Sequence, residues 1–166
     1  MSRIIATVFG LGHLPFVPGT MGSASAVAAA LAVSAMGIGL GQVALLTLLI
    51  CGVAWWAVYS ALPHFSGNDP SVIVVDEFTG QWVALIPLFY YATQRSDDRT
   101  LLWLPGVLAA FALFRLLDIA KPLAIGSAES LPGATGVMLD DILAGMATAI
   151  ILIALAVLST RFEALS

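Results

Sequence analysis

The sequence predicts an all-α protein, a polytopic membrane helical bundle of about five membrane-embedded helices. Three observations carry that expectation. Of the 166 residues, 60% are hydrophobic and only 10% are charged, against roughly 25% charged in a soluble domain. Mean hydropathy is +1.03. The apolar residues also gather in long runs separated by Gly- and Pro-containing segments, the pattern of spans and turns. The length suits one compact bundle, so residues 1–166 are expected to form a single integral-membrane domain.

In chain order, the N-terminal segment does not read as a signal sequence. Only Arg3 precedes a short apolar patch, and Gly10, Gly12, Pro15, Pro18 and Gly19 break what would have to be one continuous helix. The first span is Ser23–Gly37, Ala-rich and short. Gly37, Gly39 and Gly41 punctuate the chain before a second span, Gln42–Leu62. A crossing takes about 20 residues, so these two runs are too long for one and form a tight helical hairpin. The third span is Glu77–Thr93, interrupted at Pro87; Leu101–Ile119 is the fourth and Gly136–Ser159 the fifth.

Composition excludes several functions. A net charge of −4 with six Lys and Arg leaves no footprint for nucleic acid. Cys51 stands alone, which excludes disulfides and cysteine metal sites. His13 and His64 are too few for a histidine metal centre and read as interfacial. Trp55, Trp56, Trp82 and Trp103 suit the membrane interface or the core. Arg95, Asp97, Asp98 and Arg99 read as a solvated loop.

Span parity places the remaining polar clusters on one membrane face. The first cluster is GLGHLPFVPGTMGS, Gly10–Ser23, where Pro18-Gly19 makes a turn and Thr20 or Ser23 caps the helix that follows. A helix N-terminus offers free N–H groups and a positive dipole end to phosphate. The second is NDPSVIVVDEFTGQW, Asn68–Trp82. Asp69-Pro70 reads as loop chemistry, whereas Asp76 and Glu77 open a span, with Gly80 one turn beyond Asp76. The third is FRLLDIAKP, Phe114–Pro122. Arg115, Asp118 and Lys121 fall at i, i+3 and i+6, about 120° of one helix face, and Pro122 ends that helix. The fourth is Asp140-Asp141, with Gly145 one turn past Asp141, repeating the spacing of Asp76 and Gly80. Small residues at such positions let helices approach closely.

Charges near hydrocarbon are costly and mark sites. Here Asp76, Glu77, Asp118, Asp140 and Asp141 face only two cations, Arg115 and Lys121. Two cations cannot balance five acids, and the excess asks for something positive. Oxygen donors without Cys or His partners suit Mg²⁺, which commonly uses a few carboxylates together with substrate phosphate. Each acidic pair alone could serve as a helix-dipole partner. Two pairs plus Arg-x-x-Asp-x-x-Lys on one side favour a metal and phosphate site. The alternative from another class is an ion or proton transporter with membrane-surface carboxylates. It calls for acids through the bilayer depth, and the middle of every span lacks them.

Several phosphate chemistries are absent by pattern: the Asp-Gly…Ala-Arg frame of alcohol phosphotransferases, a Cys-x5-Arg loop, Asp-x-Asp, and a histidine-based lipid phosphatase motif. The motifs present resemble the bacterial phosphatidylglycerophosphatase A family. Gly10, Gly12, Pro15, Pro18, Gly19, Thr20, Gly22 and Ser23 match its first motif, and Asp76, Glu77, Gly80 and Trp82 its second. Phe114, Arg115, Asp118, Lys121 and Pro122 match its third, and Asp140, Asp141, Ala144 and Gly145 its fourth. The chain departs from that pattern at Val75, at Ala120–Ile125 around Lys121, and in the Gly126–Thr135 loop, which lacks basic residues.

The resemblance implies a Mg²⁺-dependent phosphatase that converts phosphatidylglycerophosphate to phosphatidylglycerol in a bacterial cell inner membrane. It makes residues 1–166 one lipid phosphatase domain within the bilayer. Asp76, Glu77, Asp118, Asp140 and Asp141 are the expected catalytic residues. Asp76, Glu77, Asp140 and Asp141 are the expected metal ligands, and Thr20, Ser23, Arg115 and Lys121 would bind the substrate phosphate. Arg3, Arg115 and Lys121 on one face balance Arg95, Arg99 and Arg161 on the other, so charge bias sets no orientation. The cytoplasmic placement of the site comes from the resemblance. The nucleophile candidates are a water beside the metal, an Asp, Thr20 and Ser23. Direct attack by water, oriented by Asp140 or Asp141, needs no covalent intermediate and is the expected route.

Overall fold

A computed structural model describes residues 1–65, 71–94 and 99–163, and every regular element among them is helical. Asp69-Pro70, Arg95, Asp97 and Asp98, and the side chains of Arg99 and Trp103, lie outside the described residues. The helices are α1 (Ser2–Ala6), α2 (Pro18–Ala35), α3 (Leu40–Ala61), α4 (Val75–Gln94), α5 (Arg99–Ala120), α6 (Ala124–Glu129) and α7 (Ala134–Glu163). Short 3₁₀ turns cover Leu11–His13 and Leu62–His64.

The five expected long helices are all present, with shifted bounds. Proline explains two shifts. The first helix begins at Pro18, five residues before Ser23, because a proline at the first helical position costs no hydrogen bond there. Thr20 and Ser23 therefore sit inside α2 and cap nothing; Val17, in the left-handed region at φ 45°, is the N-cap, without a side-chain cap bond. Pro87 does not interrupt the third helix. Val75–Gln94 runs through it, as Arg99–Ala120 runs through Pro105; membrane-embedded helices tolerate such prolines.

Helix α4 is the inner element, packed by α2, α3, α5 and α7. Trp82, Ala84, Leu85 and Phe89 on it are buried. Trp82 stacks with Phe78, meets Phe89 at a tilt, and donates its indole N–H to Thr47 Oγ1 of α3 at 2.9 Å. One apolar cluster joins Ala54, Ala57, Val58 and Ala61 of α3 to Ile73–Val75 and to Val137 and Met138 of α7. A second, around Val43, Leu85, Phe89, Val107 and Leu152, fills the other end.

Among the described residues, two helical stretches, Leu40–His64 and Ala134–Phe162, are long and apolar enough to cross a membrane. Only 22% and 17% of their most apolar windows are buried in the protein. Their apolar side chains, Leu45, Leu48, Leu49, Ile150 and Leu155 among them, point outward. A soluble core helix buries that surface; a membrane protein gives it to lipid. The other long helices spend part of their surface on small or polar residues that face protein, so by composition alone they read as less apolar.

Candidate active site

Four segments build one cavity of about 690 Å³ at the end of the bundle where α2, α4 and α7 begin and α5 ends. Asp76, Glu77, Arg115, Asp118, Lys121, Asp140 and Asp141 all line it. The residues that sequence reading spread over three motifs are thus neighbours in space.

The close approach of α4 and α7 rests on two glycines. A Cβ on Gly145 would collide with the Gly80 carbonyl and lie 3.0 Å from its carbon. One turn toward the cavity from each glycine stand Asp76 and Asp141, and both are buried. Ligand oxygens of Asp76, Glu77 and Asp141 converge within 4.8 Å of one another, a cluster able to hold a metal ion. Gly19 provides the third close approach. A Cβ there would strike the Glu77 carboxylate and come within 3.3 Å of Arg115. Glu77 therefore lies against the positive end of α2, a favourable place for a carboxylate.

Asp140 stands apart from the three converging acids. Its Oδ1 accepts the Asp141 backbone N–H at 3.0 Å and its Oδ2 accepts Lys121 Nζ at 2.9 Å. Lys121 also pairs with Glu129 of α6 at 2.7 Å. Burial alone would lower the Lys121 pKa, but the bonds to Glu129 and Asp140 outweigh it and leave the pKa raised, so the side chain stays cationic. Arg115 pairs through Nη1 with Asp118, one turn along α5. Asp118 in turn acts electrostatically on Glu77, Asp140 and Asp141.

Several buried atoms here lack a partner: Glu77 Oε2, Asp141 Oδ1 and Arg115 Nε. Unpartnered buried polar atoms cost about 1–3 kcal/mol each, and more when charged. Acceptors on one side and a guanidinium N–H on the other fit a cation and an anion brought in together. Backbone strain concentrates nearby too. Val17 and Lys121, at φ 45° and 43°, both line the cavity, and such outliers cluster at functional sites.

Two expected phosphate ligands fall elsewhere. Ser23 is fully buried and donates its hydroxyl to the Gly19 carbonyl at 2.9 Å. Thr20 is partly buried, and neither residue lines the cavity. Val17, Pro18 and Gly19, at the very start of α2, line it instead. His13 and His64 are exposed and lie outside it. Sequence reading missed Glu129, since a single acid in a polar loop resembles a solvated charge; its signal was its place between Lys121 and Asp140.

A cavity of this chemistry, at one end of an all-helical membrane protein, belongs to an enzyme for phosphorylated groups, a phosphatase acting on a phosphate monoester. Residues 4–156 match the family Phosphatidylglycerophosphatase A, and the chain belongs to that family. It is 40% identical over 149 residues to a Bacteroides thetaiotaomicron protein named "Putative phosphatidylinositol-3-phosphatase", covering 86% of each chain. It is 33% identical over 151 residues to Phosphatidylglycerophosphatase A of Escherichia coli, covering 90% of this chain and 80% of that one. The Haemophilus influenzae protein of the same name is 32% identical over 157 residues, covering 92% and 87%. No solved structure matches the chain.

Proposed function

We propose that the protein is a Mg²⁺-dependent phosphatidylglycerophosphatase that hydrolyses phosphatidylglycerophosphate to phosphatidylglycerol and phosphate in phospholipid biosynthesis. One observation carries the reading: Asp76, Glu77 and Asp141 converge, with Glu77 Oε2 and Asp141 Oδ1 buried and unpartnered, in the cavity that holds Arg115 and Lys121. Family membership and the names of the Escherichia coli and Haemophilus influenzae relatives support the substrate. The all-oxygen donor set supports Mg²⁺. Residues 1–166 act as one domain with about five membrane-embedded helices. We place it in a bacterial cell inner membrane with the cavity facing the cytoplasm; the outward-facing apolar surfaces of α3 and α7 support the membrane setting.

Asp76, Glu77 and Asp141 would hold the ion. Bound there, Mg²⁺ supplies Lewis-acid polarisation and charge neutralisation at the phosphoryl oxygens. Arg115, braced by Asp118, offers its planar donors to the phosphate, and Lys121 adds a second positive charge. Asp140 orients the attacking water. Each carboxylate oxygen accepts more than one hydrogen bond, so Asp140 keeps acceptor capacity after binding Lys121 and the Asp141 N–H. It takes the water proton as the water oxygen bonds to phosphorus. The bond from phosphorus to the lipid oxygen breaks, and that oxygen takes up the proton Asp140 received, passed on through water, to leave as the lipid hydroxyl. Ser23 and Thr20 contribute through the packing of α2.

The 40% identical relative favours a second reading, the same hydrolysis on an inositol lipid. Phosphate release by the purified protein from phosphatidylglycerophosphate and from phosphatidylinositol 3-phosphate separates the two. A higher kcat/KM on the glycerol lipid supports the first reading and the reverse order the second. Release from neither refutes a lipid phosphatase.

A further inference from the structure

The cavity wall changes in polarity from floor to rim. The charged residues of the floor are largely withdrawn from the surface: Asp76, Asp140 and Asp141 are buried, and the side chains of Arg115 and Asp118 are only 17% and 13% exposed. The rim is different. Val17, 64% exposed, forms it where α2 begins; Leu131, 42% exposed, and Pro132 form it in the connection from α6 to α7. Among the exposed residues that line the cavity, Glu129 is the one charged group, and it is paired with Lys121.

Neither the turn nor the phosphate accounts for an apolar residue at position 17. Val17 is held at φ 45°, a region that a β-branched residue enters only under strain and that asparagine adopts more readily. A mouth that served a soluble phosphate ester would gain from polar side chains here. The cavity is also larger than a phosphate group requires: about 690 Å³ lies within the range of roughly 300–1,000 Å³ that takes a drug-sized ligand. A lipid phosphomonoester has the same gradient as the wall, with charge at one end and acyl chains at the other.

We propose that Val17 and Leu131-Pro132 form a lipid-contact subsite that receives the acylated end of a phospholipid substrate while its terminal phosphate reaches the acids and Arg115. The occupant is a lipid because the apolar rim is continuous with the cavity that holds the charged groups. The inference rests on the lipid phosphatase reading above and deepens it. The cavity opens toward the bilayer, and the substrate is held at both ends. Glycerol and inositol lipids share the acylated end, so the subsite serves either headgroup.

The test is hydrolysis of phosphatidylglycerophosphate in detergent micelles by wild type, Val17→Asn and Leu131→Gln. Met36→Asn, 75% exposed at the other end of α2, is the control. Asparagine suits the backbone at position 17, so Val17→Asn should keep or raise the melting temperature. KM, as lipid mole fraction, should rise roughly three- to tenfold in each rim variant, the loss of a partly buried aliphatic contact, with kcat within about twofold of wild type. Met36→Asn should change neither. An unchanged KM, or a fall in kcat larger than the rise in KM, overturns the inference. Spin labels decide it without turnover. Nitroxides on Val17→Cys and Leu131→Cys, each with Cys51→Ala, in phosphatidylcholine bilayers should collide more often with oxygen, which partitions into lipid, than with a water-soluble nickel chelate. A label on Leu48→Cys, 72% exposed on α3, should do the same. More frequent collision with the chelate at either rim position overturns the inference. A wild type that releases no phosphate from any lipid monoester defeats the phosphatase reading instead, and the collision measurement still decides whether the rim meets lipid.

Discussion

Gly145 of α7 packs directly on the backbone of Gly80 of α4, its would-be Cβ 3.0 Å from the Gly80 carbonyl carbon and 3.2 Å from its Cα. That contact sets the distance between Asp76 and Asp141, each one turn away. Gly145→Ala should therefore fail twice. Better helix propensity offers about 1 kcal/mol, but backbone atoms cannot step aside as a flexible side chain does, and overpacking costs about 1–3 kcal/mol. A shift of the acids by about 1 Å costs roughly 100-fold in rate. Gly52→Ala, inside α3 where nothing lies within 4 Å of the added atom, is the matched control: it carries the same propensity gain and should leave activity near wild type with melting temperature unchanged or raised. Equal behaviour of the two variants would remove the glycine contact from the account.

This pair also shows what the sequence made legible. Asp76 with Gly80 and Asp141 with Gly145 repeat one spacing, and because charge is rare in this chain each acid stood out against apolar surroundings. The same contrast revealed Arg115, Asp118 and Lys121. Where contrast was missing, reading went astray. Glu129 closes the six-residue α6, a helix too short to carry a periodic signal. Gln81, fully buried with both amide atoms unpartnered, is hidden between Gly80 and Trp82. Ser23 looked like a cap because serine favours that position, but Pro18 starts the helix earlier and turns the serine hydroxyl to the Gly19 carbonyl. The count of crossing helices was blurred for a related reason. Helix α4 is wrapped by its neighbours and carries Asp76, Glu77, Thr79 and Gln81, so hydropathy does not separate it from a buried helix.

Topology is testable at exposed positions outside the site. Phe16 and Leu123, 80% and 93% exposed, flank the cavity end, whereas Met36, 75% exposed, follows α2 at its other end and precedes the apolar α3. Single cysteines at these positions, with Cys51→Ala as background, should react with a membrane-impermeant reagent in two groups. Phe16→Cys and Leu123→Cys label from one side and Met36→Cys from the other. Labelling of all three from one side would argue against a crossing α3.

Arg115→Lys should lose about 100-fold or more in kcat, comparable to removing a preorganised donor at a transition state. The guanidinium holds Asp118 through Nη1 and keeps a buried, unpartnered Nε for an incoming anion. A lysine retains the charge without the fork. Steady-state kinetics check this, and a change in KM alone would make Arg115 a ground-state binding residue.

The route of attack is read from isotope. In a single turnover in ¹⁸O-labelled water, label is expected in the first phosphate released, because water bonds directly to phosphorus. Unlabelled first-turnover phosphate, or capture of a phosphorylated aspartate, would make a carboxylate the nucleophile.

The central claim is that Asp76, Glu77 and Asp141 gather a divalent cation for hydrolysis of a lipid phosphomonoester. Phosphate release from phosphatidylglycerophosphate by the purified protein, after chelation and again after adding Mg²⁺, tests it most directly. The account predicts release abolished by chelation and restored by Mg²⁺ in wild type, and in Asp141→Asn a loss of at least about 100-fold that Mg²⁺ does not recover. Undiminished release under chelation, or an Asp141→Asn variant as active as wild type, would contradict it.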